Sequence, residues 1–274
     1  MAWDSPGGIL GQIGWGGAVL ALSLTAVVFA LVLLATRPAL RVGPAPAPFR
    51  RLWLGGLVSF GVAAVLFPPA LALVQVPLQS ALGRWTMANL ATANQAILML
   101  PVVLASGLVQ EPVKLLSALA GIVPAGLARR SDGGPAALVL WRAVVVGAAA
   151  GAGFGGFEAA VVLSPVLGTG LAASEGVFAL APAVIERFSA IIFHLATAGL
   201  VTFAWSRSVG RGLTALGALM LVHGLLNYFA LLIARPGLGA VLATETFIAL
   251  VSVTLVACLV GLLRREARRG TAKS

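Results

Sequence analysis

Val109-Gln110-Glu111-Pro112-Val113-Lys114-Leu115-Leu116 sets an amide, a carboxylate, a proline and an ammonium inside sequence otherwise as apolar as lipid. Ile97-Leu98-Met99-Leu100-Pro101-Val102-Val103-Leu104-Ala105 precedes it, and Leu115-Leu116-Ser117-Ala118-Leu119-Ala120 runs on from it. Flanks of this kind belong in a bilayer. A charged group at that depth costs several kcal/mol unless it is paired or lines a wet cavity. Lys114 stands one helical turn from both Gln110 and Glu111, on their face, and can neutralise the carboxylate locally. The stretch is therefore either a self-paired Glu–Lys that fixes packing or part of a functional site.

The rest of the chain supports the bilayer reading. Of 274 residues, 60% are hydrophobic and only 9% are charged, and the mean hydropathy is +1.05. A soluble domain of this length carries far more charge, so the fold class expected is all-α, a polytopic transmembrane helical bundle. No soluble block is long enough for a second domain, and residues 1–274 read as a single integral membrane domain. The net charge of +10 does not point to nucleic acid, because the basic residues fall in short clusters between apolar runs. That is the positive-inside pattern of a protein facing anionic lipid. The single cysteine, Cys258, excludes an internal disulfide and reads as a small buried hydrophobe. The start, Met1 to Pro6, lacks a basic n-region, so the first apolar run reads as a retained span.

Taken in order, the first span covers about Gly16 to Ala35, and the loop bearing Arg37, Arg41, Arg50 and Arg51 is cytoplasmic, with the N-terminus outside. A second span covers about Leu52 to Val74, broken or kinked near its outer end by Pro68-Pro69, and Gln75–Trp85 forms an outer connection. The apolar region from about Met87 to Leu127 is twice the length of one crossing. Arg129-Arg130 must return to the cytoplasm, so the number of crossings there is odd. The region reads as one long broken helix with breaks at Pro101 and Pro112. The fourth span follows Pro135 and runs to about Leu163, with Gly147, Gly151 and Gly155 in a stripe that lets another helix approach closely. The fifth span, about Pro182 to Trp205, carries Glu186-Arg187 near its outer end and His194 near mid-depth. Arg187, His194 and Thr197 share a face. The sixth, about Leu213 to Ile233, carries His223 and Asn227 one turn apart. The seventh, about Val241 to Leu263, starts with Glu245 at the outer interface. The basic tail from Arg264 to Arg269 is cytoplasmic, which closes a count of about seven crossings in a plasma membrane.

The strongly polar intramembrane groups thus come from four successive spans at matching depth: Gln110, Glu111 and Lys114, then Glu158, then His194, then His223 with Asn227. Both histidines of the chain are among them. Three chemistries suit this set. His194, His223 and a glutamate such as Glu158 could hold zinc, with the other glutamate as base, although no His-Glu-x-x-His spacing is present. A glutamate could activate water without metal while His and Asn donors stabilise an oxyanion. The same groups could serve a transporter as a proton relay or cation site. A serine or cysteine nucleophile has no Gly-x-Ser-x-Gly elbow or reactive-Cys context behind it.

Gln110-Glu111-Pro112-Val113-Lys114, Phe154-x-x-x-Glu158, His194 and His223-x-x-x-Asn227 resemble, in this order, the motifs of the PrsW/YhfC group of intramembrane proteases. That group belongs to the superfamily of the CAAX prenyl endopeptidase. Ile185-Glu186-Arg187 through His194 and Leu200-Val201 looks particularly like YhfC. The likeness covers about Val109 to Phe229, within a catalytic core of about 88–234. It implies a glutamic-type endopeptidase without a cofactor, zinc being the alternative, that acts on a transmembrane or membrane-anchored peptide. It further implies Glu111, Glu158 and His194 around the attacking water, and His223 with Asn227 near the oxyanion. Gln110, Lys114, Phe154 and Arg187 would support them. The chain departs from the pattern once: Gln110 stands where the family has the first of two glutamates. Activity then depends on whether the second, Glu111, suffices. An inert membrane scaffold is the reading if it does not.

Overall fold

A backbone in lipid must satisfy its own hydrogen bonds, which helices do within one segment. Every element of the structure, a computed structural model, is accordingly helical. It describes residues 10–36, 49–90, 92–127, 136–169, 174, 176–233 and 238–271. The helices are α1 (Trp15–Thr36), α2 (Phe49–Pro69), a π-helical segment (Ala70–Gln75), α3 (Val76–Asn89), α4 (Gln95–Ile122), α5 (Ala136–Gly168), α6 (Ala181–Arg207), α7 (Val209–Ile233) and α8 (Leu238–Thr271). Among the described residues, seven helical stretches are long and apolar enough to cross a membrane. The protein is an all-α, multi-pass membrane bundle.

Helix α5 is the axis of the bundle. Its spanning window is 89% buried, against 22% for α1, α7 and α8. The cause is in its sequence: glycines on several faces let neighbours approach until backbones touch, which in lipid is the main source of helix–helix attraction. A Cβ on Gly151 would lie 2.2 Å from the carbonyl oxygen of His194, and one on Gly147 would lie 2.6 Å from that of Ala198. This is the face turned to α6, as the glycine stripe predicts. On other faces Gly153 abuts the Phe60 carbonyl of α2, and Gly156 abuts Thr25 of α1. Around this axis α1, α2 and α6 contribute apolar clusters such as Val28, Ala148, Leu163 and Leu195.

The second and third spans differ from the expectation. At Pro68-Pro69 the α-helix gives way to the π-helical segment, where Val76 N bonds Leu71 O five residues back, a local break of the kind expected there, but the helix then continues as α3. The wide turn absorbs the disturbance of two missing N–H donors. The spanning stretch is thus Arg51–Asn89, 39 residues, about 58 Å at 1.5 Å per residue and longer than one straight crossing. Gln75–Trp85 is helical and continuous with the second span rather than a separate connecting loop. Likewise the break in the third apolar region falls before Gln95, not at the prolines. Asn94 caps the new helix by accepting from Ala96 N at 2.9 Å, and α4 then runs unbroken through Pro101 and Pro112. Each proline removes one intrahelical bond, which packed neighbours and polar side chains can offset in a transmembrane helix. Cys258 is exposed rather than buried, because a lipid-facing position is as suited to a small apolar side chain as a core position. The basic loop at 37–48, Arg129-Arg130, Gly133 to Pro135, Glu175 and Arg235-Pro236-Gly237 lie outside the described residues.

Candidate functional site

Three close helix crossings bring the intramembrane polar groups together. At the α4–α7 crossing a Cβ on Gly107 would stand 2.1 Å from the Met220 carbonyl, and one on Gly224 would stand 2.9 Å from Leu104 Cα. Backbone contact here carries His223, next to Gly224, to Glu111, one turn beyond Gly107. At the α5–α6 crossing Gly151 lies against the His194 backbone, and Gly155 lies beside the His194 ring, 3.0 Å from Cδ2 to its would-be Cβ. That places the ring between α4 and Glu158. Between α2 and α4, Gly121 meets the Gly55 carbonyl and the Ser59 hydroxyl, which holds α4 in the interior.

Lys114 is the hub. Its side chain is fully buried, and Nζ lies 2.5 Å from Glu111 Oε1, 2.8 Å from Thr197 Oγ1 and 3.1 Å from His194 Nδ1. An ammonium has three N–H donors, and three acceptors surround it. That count makes His194 Nδ1 an acceptor and puts the ring proton on Nε2, which then donates to Glu158 Oε2 at 3.0 Å. Glu158 also accepts from Arg187 at 3.3 Å, and Arg187 in turn clasps Glu186 through two further bonds. On the other side His223 Nδ1 lies 2.7 Å from Glu111 Oε1 and donates to it. The result is one chain of contacts, His223–Glu111–Lys114–His194–Glu158–Arg187, drawn from α4, α5, α6 and α7.

Aromatic rings wall this chain. Phe154 lies with its ring centroid 5.2 Å from that of His194 and 4.8 Å from that of Phe67. Phe193 packs edge-on against His223 at 5.0 Å. The Lys114 ammonium sits 5.7 Å from the Phe154 centroid and 5.6 Å from that of Phe193, so ring faces add to its cation stabilisation. Exposure then divides the two carboxylates. Glu111 has no exposed side-chain surface, whereas the Glu158 side chain is 21% exposed. Both hydrogen bonds of Glu111 fall on Oε1, and its buried Oε2 has no partner among the described residues.

Of the residues singled out from sequence, Glu111, Lys114, Glu158, His194, His223, Phe154 and Arg187 meet here. Two do not join directly. Asn227 donates to Ser106 Oγ at 2.8 Å, beside the network on the same face of α7 as His223. Gln110 turns to the π-helical segment, where its Nε2 donates to Gln75 Oε1 at 3.1 Å, and its own buried Oε1 has no partner among the described residues. Sequence reasoning missed Gln75, Ser106 and Phe193 as neighbours of the site. Gln75 could have been flagged as a polar residue after a long apolar run. Ser106 carries no signal in one sequence. Among the described residues no three His, Cys, Asp or Glu side chains form a group that could hold a metal ion. Glu158 and His194 meet, but His223 is bound to Glu111 through Nδ1, and His194 Nε2, the nitrogen that faces Glu158, is already hydrogen-bonded to that carboxylate. The proposed zinc triad does not fit this arrangement. No known protein family, curated protein or solved structure matches the chain.

Proposed function

We propose that this protein is an intramembrane endopeptidase of glutamic type, hydrolysing a peptide bond in a membrane-embedded or juxtamembrane substrate. The observation that carries this reading is the state of Glu111: one carboxylate oxygen is held by His223 and Lys114, and the other, buried, has no partner among the described residues. A general base needs such an oxygen, fixed in place and with a lone pair not engaged by another donor. In this scheme Glu111 Oε2 takes a proton from water as the water oxygen attacks the scissile carbonyl carbon. The developing oxyanion is met by polar donors from α7, with Asn227 the nearest candidate beyond His223. As the C–N bond breaks, the leaving nitrogen takes the proton that Glu111 holds, which returns Glu111 to its carboxylate form, while the His194–Glu158 pair orients the attacking water. Glu158, one-fifth exposed, marks the side from which water and peptide enter. Lys114 holds the charge balance and aligns Glu111 with His194.

The sequence pattern supports an N-terminus outside and a basic C-terminus in the cytoplasm of a plasma membrane. A second reading rests on the unbroken contact chain from Glu111 to Arg187, which could conduct protons in a transporter. One pair of measurements separates the two. Purified protein is offered a peptide library spanning transmembrane boundaries, as wild type and as Glu111→Ala, Glu158→Ala and His223→Ala. Cleavage by wild type that all three substitutions abolish supports the peptidase; cleavage surviving all three removes the site assignment. Cleavage lost on chelation and restored by zinc would favour a metal enzyme despite the geometry. No cleavage, with proton flux in liposomes abolished by Glu158→Ala, would establish the transport reading.

A further inference from the structure

At the opposite end of the bundle from Glu158, the last turn of α6, the first turn of α7 and the last turns of α8 enclose a cavity of about 410 Å³. Its rim carries Arg207, Arg211, Arg265 and Arg269 against one acid, Glu266. Glu266 is committed: Arg207 and Arg269 both pair with it, the second at 3.2 Å. Among the described residues neither Arg211 nor Arg265 has an ion-pair partner. Below the rim the lining turns apolar, with Leu200, Phe203 and Leu219 on the floor. The Arg207 guanidinium lies 5.7 Å from the Phe203 ring centroid. Leu200 is two helical turns below Arg207, about 10 Å deeper at 1.5 Å per residue. The cavity therefore runs from a cationic mouth at the helix ends down into the hydrocarbon zone.

We infer that this cavity is a binding site for an anionic glycerophospholipid. A phosphate group would sit between Arg211 and Arg265, whose guanidinium forks match its oxygens, while an acyl chain lies along Leu200, Phe203 and Leu219. The chemistry argues against the other anions. A free phosphate would use the mouth and leave the apolar floor uncovered, and an acidic peptide would bring no hydrocarbon chain to that floor. A basic pocket between transmembrane helices is a recurring way to hold an anionic lipid head group. This site stands apart from the peptidase reading and survives its failure.

Native mass spectrometry of the full-length protein, in detergent with phosphatidylglycerol or phosphatidylcholine added, tests it. Wild type should retain phosphatidylglycerol in preference to phosphatidylcholine. R211Q/R265Q should bind phosphatidylglycerol about 30-fold more weakly, the loss expected for two basic contacts to an anionic head group. R264Q/R268Q, which removes the same charge from the neighbouring arginines of α8 outside this cavity, should bind almost as wild type. Thermal unfolding of each variant confirms that the fold is kept. Equal weakening in both double variants would overturn the site in favour of diffuse surface charge. Equal retention of the two lipids, or displacement of phosphatidylglycerol by inorganic phosphate or glycerol phosphate at matched concentration, would overturn the lipid assignment.

Discussion

Replacing Lys114 with methionine removes one buried charge and leaves the chain length of the side chain nearly intact. The consequence can be worked from the contacts. At 2.5 Å from Glu111 Oε1, the gross Coulomb attraction is about 7 kcal/mol at an effective dielectric of about 20. Desolvation of two fully buried ions offsets most of it, so the pair as a whole adds little net stability. Losing one member is different, because the other stays buried without compensation. Lys114→Met should therefore cost about 3–5 kcal/mol, a large share of the total for a single domain. Glu111→Gln should be costly for the same reason, and the double variant E111Q/K114M should be much less destabilised than the two losses summed. Equilibrium unfolding in mixed micelles, followed by tryptophan fluorescence, gives all four corners of the cycle. A coupling of about 2 kcal/mol or more is expected for groups in direct contact. A Lys114→Met shift within about 0.5 kcal/mol of wild type, as surface changes give, would refute the claim that Lys114 holds the network together. So would strict additivity.

Gly151→Ala should destabilise the bundle by about 1–3 kcal/mol, the range for overpacking, because its methyl would stand 2.2 Å from the His194 carbonyl. The same change at Gly217, which has nothing within 4 Å, serves as control in thermal unfolding and should be neutral or slightly stabilising. Gln110→Glu should leave kcat/KM on a cleaved peptide within about threefold, since position 110 faces Gln75 and adds no transition-state contact; a gain well beyond that would show that the first glutamate of the motif matters here.

The class of fold was legible from apolar run lengths and the placement of arginines, because bilayer thickness and charge exclusion act directly on sequence. The site was legible for a related reason. Polar groups are so unfavourable in lipid that Glu111, Lys114, Glu158, His194 and His223 stand out as exceptions, and the glycine stripe at 147, 151 and 155 announced the close contact that joins two of their helices. Local irregularities were harder. Proline signals a missing hydrogen bond but not how a helix absorbs it, so Pro68-Pro69 read as a break or kink without showing the π-helical segment that carries the helix on, and Pro101 and Pro112 read as breaks inside an unbroken helix. The partners of Gln110 and Asn227 depended on Gln75 and Ser106, brought in by crossings that single-sequence periodicity does not encode. The exposure of Cys258 was illegible because lipid-facing and buried positions use the same residues.

The most direct measurement of the peptidase account is cleavage of a transmembrane peptide in water enriched in oxygen-18, comparing wild type with Glu111→Gln in the same lipid nanodiscs. Wild type should yield a product whose new carboxyl terminus carries one heavy oxygen, and Glu111→Gln, shown to be folded, should yield none. Heavy-oxygen product from Glu111→Gln at the wild-type rate would contradict the account.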